Sequence, residues 1–356
     1  MNNANNRKRR RTNGSNITLI LILAAVILLL LNIFIFSGLK SDSMPRDNAD
    51  LRENAGANPA DPTPGASGQG AGGQNTKKDG LSGYMPVSVS PDEIHFGELV
   101  LINNDTAYVS EGTHNIVAYE TPANVYAAKN ANYTVSYPAK VELNPTVIEN
   151  LNTMFTDYVA FSGASDIYIN EAYRTFEDQQ KMYDEKGADI ATKPGYSEHH
   201  SGYAFDVAVV SGGKYSSFSD TGHYVWLRDN CKNYGFIRRY PEGKKEITGI
   251  DFEAWHYRYV GVPHSVYIMN EGITLEEYIK LIKGYTLKGN HLKIAANGAE
   301  YEVYYVPVTD ETKEIYVPKD KPYTVSGNNV DGFIVTVTLS QPAETPEETT
   351  EETTEE

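Results

Sequence analysis

Three hydrophobic patterns follow one another along the chain. Residues 17–36 form an apolar run without a charge, interrupted only by Thr18 and Asn32. From about residue 93 to residue 284, apolar positions recur at both helical and strand spacing, and beyond residue 284 they form short alternating runs. This order predicts a membrane segment, then a mixed α+β domain, then a small module of strands.

The middle region contains the best-defined elements. Apolar residues recur at helical spacing from Asn144 to Val159, with Asn144 as the cap and Pro145 at the first helical position. Apolar runs bounded by turn residues indicate strands. The predicted strands are Gly97–Ile102, Asp166–Asn170, Tyr203–Val210 and Gly235–Tyr240, and further helices are predicted from Ala172 to about Lys186 and from Tyr224 to Tyr234.

Beyond Gly284 the alternation of apolar and polar residues predicts five strands, which cover residues 291–295, 301–307, 314–317, 323–325 and 333–339. Asn297-Gly298 and Ser326-Gly327 are predicted turns between them. A module of about 55 residues is near the lower size for independent folding. It either binds an external partner or packs on the preceding domain.

The first forty residues predict membrane insertion. A helix needs about twenty apolar residues to cross a bilayer, and residues 17–36 supply them. The basic cluster Arg7–Arg11 precedes this run, so the N-terminus is expected in the cytoplasm and the rest of the chain outside. A cleaved signal peptide is the competing interpretation, but the run is longer than usual and no small-residue cleavage site follows it. Beside this run, a nucleic-acid-binding role for the basic cluster is the weaker alternative.

Composition sets the remaining boundaries. Residues 38–90 are rich in Gly, Ser, Pro and Asn, and the tail is almost entirely Glu, Thr and Pro, so both are predicted to be disordered. The net charge of −16 disfavours nucleic acid as a partner. Cys231 is the only cysteine and is interpreted as a core residue. The predicted segments are 1–16 cytoplasmic, 17–37 anchor, 38–90 linker, 91–284 mixed α+β domain, 285–340 strand module and 341–356 tail.

The run Tyr196–Asp206 is the first candidate for chemistry. On the predicted strand, Ala204 and Asp206 share one face, while Tyr203, Phe205 and Val207 share the other. A carboxylate in such an apolar run needs a partner, because burying an unpaired charge is costly. Metal binding with His199, across a turn at Gly202, is one interpretation. A core aspartate that caps a turn or pairs with an arginine is the other.

The second candidate is Glu253–Tyr259, where a glutamate precedes His256 by three residues. Catalytic zinc usually takes three protein ligands from His and Asp or Glu and keeps one position for water. His199, Asp206 and His256 would fill three positions, and Glu253 would be left as a base. The sequence contains no HExxH motif, which excludes the common zinc signature on a single helix.

Taken together, these motifs resemble the VanY-type D-alanyl-D-alanine carboxypeptidases, which are related to the VanX-type dipeptidases. The matching motifs are S-x-H-x-x-G-x-A-x-D at Ser197–Asp206 and E-x-W-H-x-R-Y-V-G at Glu253–Gly261. Tyr173, Arg174 and Gln179 match a third motif, in which Ala172 replaces the usual glycine. The resemblance extends from about Leu99 to about Ile282 and implies a central antiparallel sheet flanked by helices.

The resemblance also implies roles for individual residues. His199, Asp206 and His256 are expected to bind Zn²⁺, and the family spacing selects His199 over the adjacent His200. Glu253 is expected to act as general base and acid toward the attacking water and the leaving amine. Arg174 is expected to stabilise the developing oxyanion, although a surface salt bridge is its simpler interpretation. Ser197 and Gln179 are expected to hold the C-terminal end of the substrate.

The implied function is removal of the terminal D-alanine from peptidoglycan stem peptides by an extracytoplasmic, membrane-anchored zinc enzyme. D,D-cleavage of a pentapeptide, L,D-cleavage of a tetrapeptide and endopeptidase action on cross-bridges all fit the motifs. A non-catalytic protein that binds or senses the cell wall is the alternative from another class. Retention of Glu253 beside all three ligands favours the enzyme, because a binding protein needs no base.

Overall fold

The computed structural model describes residues 81–188 and 190–341. Within these ranges no helix combines the length and the apolar character needed to span a bilayer. The predicted cytoplasmic segment and anchor, most of the predicted linker and nearly all of the acidic tail lie outside the described residues. Residues 81–90 of the predicted linker are described, and they include a strand.

Helices and strands alternate through most of the described chain. The helices are α1 (Val125–Ala128), α2 (Pro145–Ser162), α3 (Phe176–Lys186), α4 (Val225–Asn230), α5 (Lys245–Thr248), α6 (His264–Glu271) and α7 (Leu275–Ile282). The 3₁₀ turns are Pro91–His95, Glu198–Ser201, Gly222–Tyr224 and Cys231–Tyr234. The strands are β1 (Tyr84–Ser88), β2 (Ala123–Asn124), β3 (Thr134–Val135), β4 (Glu142–Leu143), β5 (Ile167–Glu171), β6 (Ala204–Ser211), β7 (Lys214–Ser217), β8 (Phe236–Tyr240), β9 (Glu253–Tyr259), β10 (Leu292–Ala296), β11 (Ala299–Pro307), β12 (Glu314–Pro318), β13 (Tyr323–Gly327) and β14 (Gly332–Ser340).

The central sheet has the strand order β3-β5-β6-β9-β8, and β7 pairs with the outer half of β6. All of its pairings are antiparallel except the short parallel contact between β3 and β5. Together with the helices packed on this sheet, the topology confirms the predicted α+β class.

The two faces of the central sheet have opposite roles. On β6, Phe205, Val207 and Val209 point into a core that they share with the buried side of α2. The alternate residues, Ala204, Asp206, Ala208 and Val210, lie on the other face, because successive strand residues point to opposite sides. We call this second face the site face.

The helix α2 has the predicted position, but the capping hydrogen bond at its N-terminus comes from a residue other than the predicted one. Asn144 occupies the cap position without a side-chain capping bond. Glu120 supplies that bond instead, since its carboxylate accepts from the backbone N–H of Thr146 at 3.1 Å and from its hydroxyl at 2.7 Å. A carboxylate at this end is also favoured by the helix dipole.

The C-terminal strands pack on the preceding domain. The second sheet has the order β10-β11-β14-β13, and β12 pairs with β1 from the start of the described chain. Ile279 of α7 and Ile237 of β8 share one buried cluster with Val303 and Ile334 of the second sheet. Of the two interpretations of this module, packing on the enzyme domain is therefore the one observed.

Two predicted details of the backbone are wrong. Gly97–Ile102 is buried but irregular rather than a strand, because side chains take its carbonyls: Arg258 donates to Val100 and Asn329 donates to Leu101. The predicted turn at Ser326-Gly327 lies within β13. The chain turns three residues later, where the Asn328 carboxamide oxygen accepts from three backbone N–H groups. The turn at Asn297-Gly298 forms as predicted, with both residues at positive φ.

Candidate metal centre and substrate cleft

Three of the predicted site residues converge on the site face. Ligand atoms of His199, Asp206 and His256 all lie within 4.8 Å of one another. Asp206 Oδ1 lies 2.8 Å from His256 Nδ1 and 3.6 Å from His199 Nε2, and the two imidazole rings are perpendicular at 5.1 Å. Within the described residues, this is the one group of three or more such side chains that could hold a metal ion.

Local structure accounts for this convergence. Asp206 and His256 are directly opposed on neighbouring antiparallel strands, so their side chains project from the same face. His199 reaches them from the 3₁₀ turn Glu198–Ser201, which ends at Gly202 with φ +71°. A Cβ at Gly202 would lie 2.5 Å from Asn144 Oδ1, so glycine is required both for this conformation and for the space.

Each imidazole is oriented by a hydrogen bond at its other nitrogen. His199 Nδ1 donates to the carbonyl of Ala172 at 2.8 Å, which leaves Nε2 unprotonated toward Asp206. His256 Nε2 lies 3.2 Å from Glu198 Oε2, which leaves Nδ1 toward Asp206. Hydrogen bonds of this kind set ring orientation and ligand basicity at metal sites.

The protonation of these groups follows from burial and charge. Burial lowers the pKa of His199 to about 3. Burial also disfavours the charged form of His256, but its hydrogen bonds to Asp206 and Glu198 outweigh that effect and raise its pKa to about 10. In the absence of a metal, a proton on His256 Nδ1 therefore offsets the charge of Asp206. A divalent cation at this position would displace that proton, as metal binding to histidine requires.

Glu198 links the candidate ligands to a buried ion network. Its Oε1 accepts from Arg239 Nε at 2.7 Å and from Arg258 Nη1 at 2.8 Å, and all three side chains are fully buried. Arg239 also contacts Glu276 at 2.6 Å. Burial alone would raise the pKa of Glu198, but the two arginines outweigh it and lower the pKa, so Glu198 is an anion. The network therefore holds a charged hydrogen-bond acceptor against His256.

Glu253 lies at the edge of the candidate centre. Its Oε2 is 3.9 Å from His256 Nδ1, and its side chain is one quarter exposed. Desolvation, together with the nearby charges of Asp206 and Glu198, raises the pKa of Glu253 to about 7 despite the opposing effect of His256. A carboxylate with a pKa near neutrality is suited to both accept and return a proton.

Arg174 is held in place by two side chains. Its Nη1 donates to Gln179 Oε1 at 2.7 Å and its Nη2 donates to Glu171 Oε2 at 2.9 Å. Gln179 is buried and donates in turn to the carbonyl of Thr192 at 2.6 Å. The simple interpretation of Arg174 as a salt-bridge partner is thus partly observed. Because a guanidinium has five donors, the bonded group keeps donors for a substrate.

Hydrogen bonds within the protein engage Gln179, Ser197 and His200. Gln179 orients Arg174, and Ser197 caps the 3₁₀ turn by accepting from the backbone N–H of His199. His200 accepts from Gly195 N–H at 3.0 Å, and its Nδ1 is 2.8 Å from the carbonyl of Arg174. Both ring nitrogens of His200 are therefore engaged away from the three candidate ligands. The predicted substrate contacts of Ser197 and Gln179 stay predictions.

The seven predicted site residues line one cleft of about 720 Å³. Residues of the metal centre form part of its wall, and α3 with the following loop contributes Met182, Tyr183 and Ile190. Lys186, Lys193 and Lys245 also line it, so the cleft carries positive side chains beside its carboxylates. A cleft of this size accommodates a short peptide with a terminal carboxylate.

The donor set fits zinc. Two imidazoles and one carboxylate are a usual protein ligand set for catalytic zinc, and each imidazole here has its outer nitrogen bonded to an acceptor. His199, Asp206 and His256 are buried or nearly so, whereas Glu253 stands at the open side. The residues present would therefore hold the metal and leave a carboxylate beside it.

Two kinds of contributing residue were missed from the sequence. Glu198 directly precedes His199, and a glutamate next to a ligand within an otherwise apolar and small-residue run was the available signal. Its partners Arg239 and Arg258 lie 41 and 60 residues away, so local pattern gives no link between them. Tyr240, whose ring centre is 4.9 Å from that of His256, also lines the cleft and was given no role from the sequence.

Comparison with known proteins finds relatives of one type. Residues 140–262 match the family model described as VanY, D-alanyl-D-alanine carboxypeptidase. A D-alanyl-D-alanine carboxypeptidase of Enterococcus faecium is 35% identical over 254 residues, which are 70% of this chain and 78% of that protein. The bifunctional D-Ala-D-Ala dipeptidase and D-Ala-D-Ala carboxypeptidase VanXYC of Enterococcus gallinarum is 40% identical over 125 residues, 32% of this chain and 66% of that protein.

A solved structure extends the likeness to the fold. The crystal structure of the vancomycin resistance D,D-dipeptidase VanXYg, in complex with a D-Ala-D-Ala phosphinate analogue, aligns with a TM-score of 0.60 at 30% identity. The alignment covers 72% of this chain and 99% of that one. The shared fold thus extends well beyond the 123 residues of the family match.

Proposed function

The chain belongs to the VanY-type family of D-alanyl-D-alanine carboxypeptidases, and from this premise we propose that it removes the terminal D-alanine from peptidoglycan stem peptides outside the cell membrane. Membership makes it a zinc-dependent peptidase of the D-alanyl-D-alanine type. The observation that carries the proposal is the convergence of His199, Asp206 and His256, with Glu253 beside them, in an open cleft.

The roles of the residues follow from their positions. Zn²⁺ bound by His199, Asp206 and His256 would polarise the scissile carbonyl and lower the pKa of water. Glu253 takes a proton from the attacking water as the new C–O bond forms. It then gives that proton to the amine nitrogen as the C–N bond breaks, so that free D-alanine leaves.

Arg174 stabilises charge on the carbonyl oxygen of the substrate. Its guanidinium is held by Gln179 and Glu171, so little reorganisation is needed when the oxyanion forms. Gln179 acts by positioning Arg174, and Ser197 remains a candidate for contact with the C-terminal carboxylate of the substrate. Lys193, which lines the cleft near Ser197, is a further cation for that carboxylate.

Defined peptides test the activity. The zinc-loaded chain is incubated with a D-Ala-D-Ala dipeptide, a tetrapeptide and a pentapeptide, and the products are identified by mass. Release of one D-alanine from the pentapeptide supports the proposal, while cleavage of the tetrapeptide or the dipeptide alone assigns L,D-carboxypeptidase or dipeptidase activity. Peptide binding without turnover contradicts the proposal and supports the non-catalytic wall-binding alternative.

The metal assignment has its own test. Metal content of the full-length chain and of His199→Ala, Asp206→Ala and His256→Ala variants is measured after dialysis. We expect one zinc per wild-type chain and loss of tight binding in each variant. Stoichiometric zinc in all three variants contradicts the ligand assignment.

The location outside the membrane rests on residues 1–37. The basic cluster Arg7–Arg11 before the apolar run supports an N-terminus in the cytoplasm and a domain outside. Protease added to intact protoplasts should then remove the enzyme domain and leave a small N-terminal fragment in the membrane. A mature protein in the medium that starts shortly after Ser37 would indicate a cleaved signal instead.

A further inference from the structure

The site face of the central sheet is closed at one end and open at the other. At the closed end, Ala204 and Arg258 are fully buried. Arg258 donates there to the carbonyls of Glu98 and Val100. His256 comes next along β9 and is 3% exposed. Glu253, beyond it on the same strand, is one quarter exposed. A substrate chain that leaves the metal centre along the sheet can therefore pass only toward the open end.

The open end follows β6 beyond Asp206. Ala208 and Val210 lie on the site face and are half-buried, although β6 is an inner strand of the sheet. β7, which pairs with this part of β6, is exposed at all four positions. This part of the sheet face is therefore only partly covered by the rest of the described chain.

Two tyrosines cover part of this open end. Tyr168 of β5 is opposite Ala208, and Tyr215 of β7 is opposite Val210, so both rings project from the site face. Their ring centres are 4.7 Å apart, and Tyr215 remains 65% exposed. We call Tyr168 and Tyr215 the tyrosine strip. The strip lies beside the cleft, since Asn170, two residues from Tyr168 on β5, lines the cleft wall.

The spacing of the strip matches the length of the proposed substrate. Strand residues rise about 3.3 Å each, so Ala208 and Val210 lie roughly 7 and 13 Å from Asp206 along β6. In a pentapeptide stem, four residues separate the scissile bond from the sugar that carries the peptide. Four extended residues also span roughly 13 Å. A stem peptide lying along β6 would therefore bring its sugar to the strip.

The chemistry of the strip suits a saccharide. The C–H faces of a pyranose ring pack favourably on aromatic rings, and the tyrosine hydroxyls offer hydrogen bonds to sugar hydroxyl and acetamido groups. Exposed aromatic residues beside a cleft are typical of ligand-binding surfaces. We propose that the tyrosine strip binds the amino sugar to which the stem peptide is attached. This inference rests on the proposed function. It predicts that the enzyme prefers glycan-linked peptides to free peptides.

Matched substrates and a matched variant test the strip. The zinc-loaded full-length chain is assayed on a free pentapeptide and on the same pentapeptide attached to its disaccharide. We expect kcat/KM to be roughly tenfold higher with the sugar, which is about 1.4 kcal/mol. Tyr215→Ala should remove most of this advantage through KM and leave kinetics on the free peptide unchanged. Tyr215→Phe should retain most of it, because the ring is kept.

Phe161→Ala is the control, because Phe161 is also largely exposed but belongs to α2, which packs on the opposite face of the sheet. This variant should leave kcat/KM unchanged for both substrates. Equal kcat/KM for both substrates in the wild type overturns the proposal. So does an equal loss on both substrates in Tyr215→Ala, since the strip would then only cover Ala208 and Val210.

A binding measurement separates this proposal from the proposed function. If neither peptide is cleaved, the proposed function fails, but calorimetry with the tetrapeptide product, with and without its disaccharide, still tests the strip. Tighter binding of the disaccharide form, weakened by Tyr215→Ala, supports the proposal. Equal binding of the two forms overturns it.

Discussion

Two buried regions of this protein are built in opposite ways. Around the candidate metal centre, Glu198, Arg239 and Arg258 are fully buried and charged, and both arginines bond Glu198. Where α7 meets the C-terminal strands, the buried cluster is almost entirely aliphatic and aromatic, and we call it the junction core. Its members are Leu99, Leu101, Ile237, Val260, Ile268, Leu275, Tyr278, Ile279, Ile282, Leu292, Ile294, Val303, Tyr305 and Ile334.

The difference separates function from stability. Buried ion pairs add little net stability, because desolvation offsets much of their attraction, but they orient side chains well. Apolar burial stabilises a fold without orienting any reactive group. Changes at the metal centre should therefore affect chemistry and metal binding, while changes in the junction core should affect only the free energy of unfolding. The following predictions, ordered from the largest expected effect to the smallest, test this separation.

Glu253→Gln should have the largest effect. It keeps the shape of the side chain and removes its basicity, so turnover should fall by roughly 10²–10⁴-fold while zinc content and unfolding stay near wild type. Steady-state kinetics and metal analysis on the same sample measure this. Asp251→Asn is the control, since Asp251 also lines the cleft but is bonded to Lys245 at its exposed rim. Loss of zinc from Glu253→Gln would make Glu253 a ligand and reassign Asp206.

Glu198→Gln should lower both the unfolding free energy and the zinc affinity, because Glu198 belongs to the ion network and also contacts His256. Removing one partner of a buried ion pair costs about 3–5 kcal/mol of unfolding free energy. Replacing the anionic acceptor for His256 with a neutral carboxamide should also weaken zinc affinity by roughly 10–100-fold in a chelator competition.

Glu276→Gln is the matched variant for this prediction. Within the described part of the chain, Glu276 bonds Arg239 and not His256, so the variant should lose stability while keeping its zinc affinity. Equal zinc affinity in Glu198→Gln and Glu276→Gln would show that Glu198 does not position His256.

Ile279→Ala tests the junction core. Ile279 is 3% exposed on α7, and truncating a buried isoleucine should lower the unfolding free energy by about 3 kcal/mol. At a temperature where the variant remains folded, kcat and zinc content should match wild type. Lys280→Ala, exposed on the same helix, should change neither stability nor activity. A reduced kcat in folded Ile279→Ala would break the separation of the two regions.

The smallest effect concerns pH and His264, a buried polar residue beside the junction core. Its ring nitrogens bond two hydroxyls, with Nδ1 2.7 Å from Tyr278 Oη and Nε2 2.9 Å from Thr336 Oγ1. Burial lowers its pKa to about 3. Because the unfolded chain binds this proton below about pH 6.5, stability should fall as pH drops from there toward 3.

Lowering the pH from 7 to 5 should thus decrease the unfolding free energy by about 2 kcal/mol, because His264 takes up a proton in the unfolded chain. Denaturant titrations of wild type and His264→Gln at both pH values measure this, since glutamine can still bond the two hydroxyls but does not titrate. The variant should show the smaller pH dependence. The same pH dependence in both proteins would show that His264 does not contribute.

Much of the peptidase fold was predictable because its signals are local. Strand alternation gave the two faces of β6, and helical spacing with Pro145 gave the start of α2. The family resemblance of the two motifs predicted which side chains would meet, and the structure brings His199, Asp206 and His256 together. Strand alternation and helical spacing need only neighbours two to four residues apart, so the sequence displays them directly.

The remaining features depended on contacts between distant residues. Glu198 meets Arg258 from 60 residues away, and Asn329 reaches the carbonyl of Leu101 from 228 residues away. The bonds of Arg258 and Asn329 to the carbonyls of residues 98–101 keep Gly97–Ile102 irregular, although its composition favours a strand. The sequence by itself determined the local elements and the candidate ligands. Only the tertiary structure decided which buried charges were paired, because a partner for a charge is selected by proximity in space rather than by spacing along the chain.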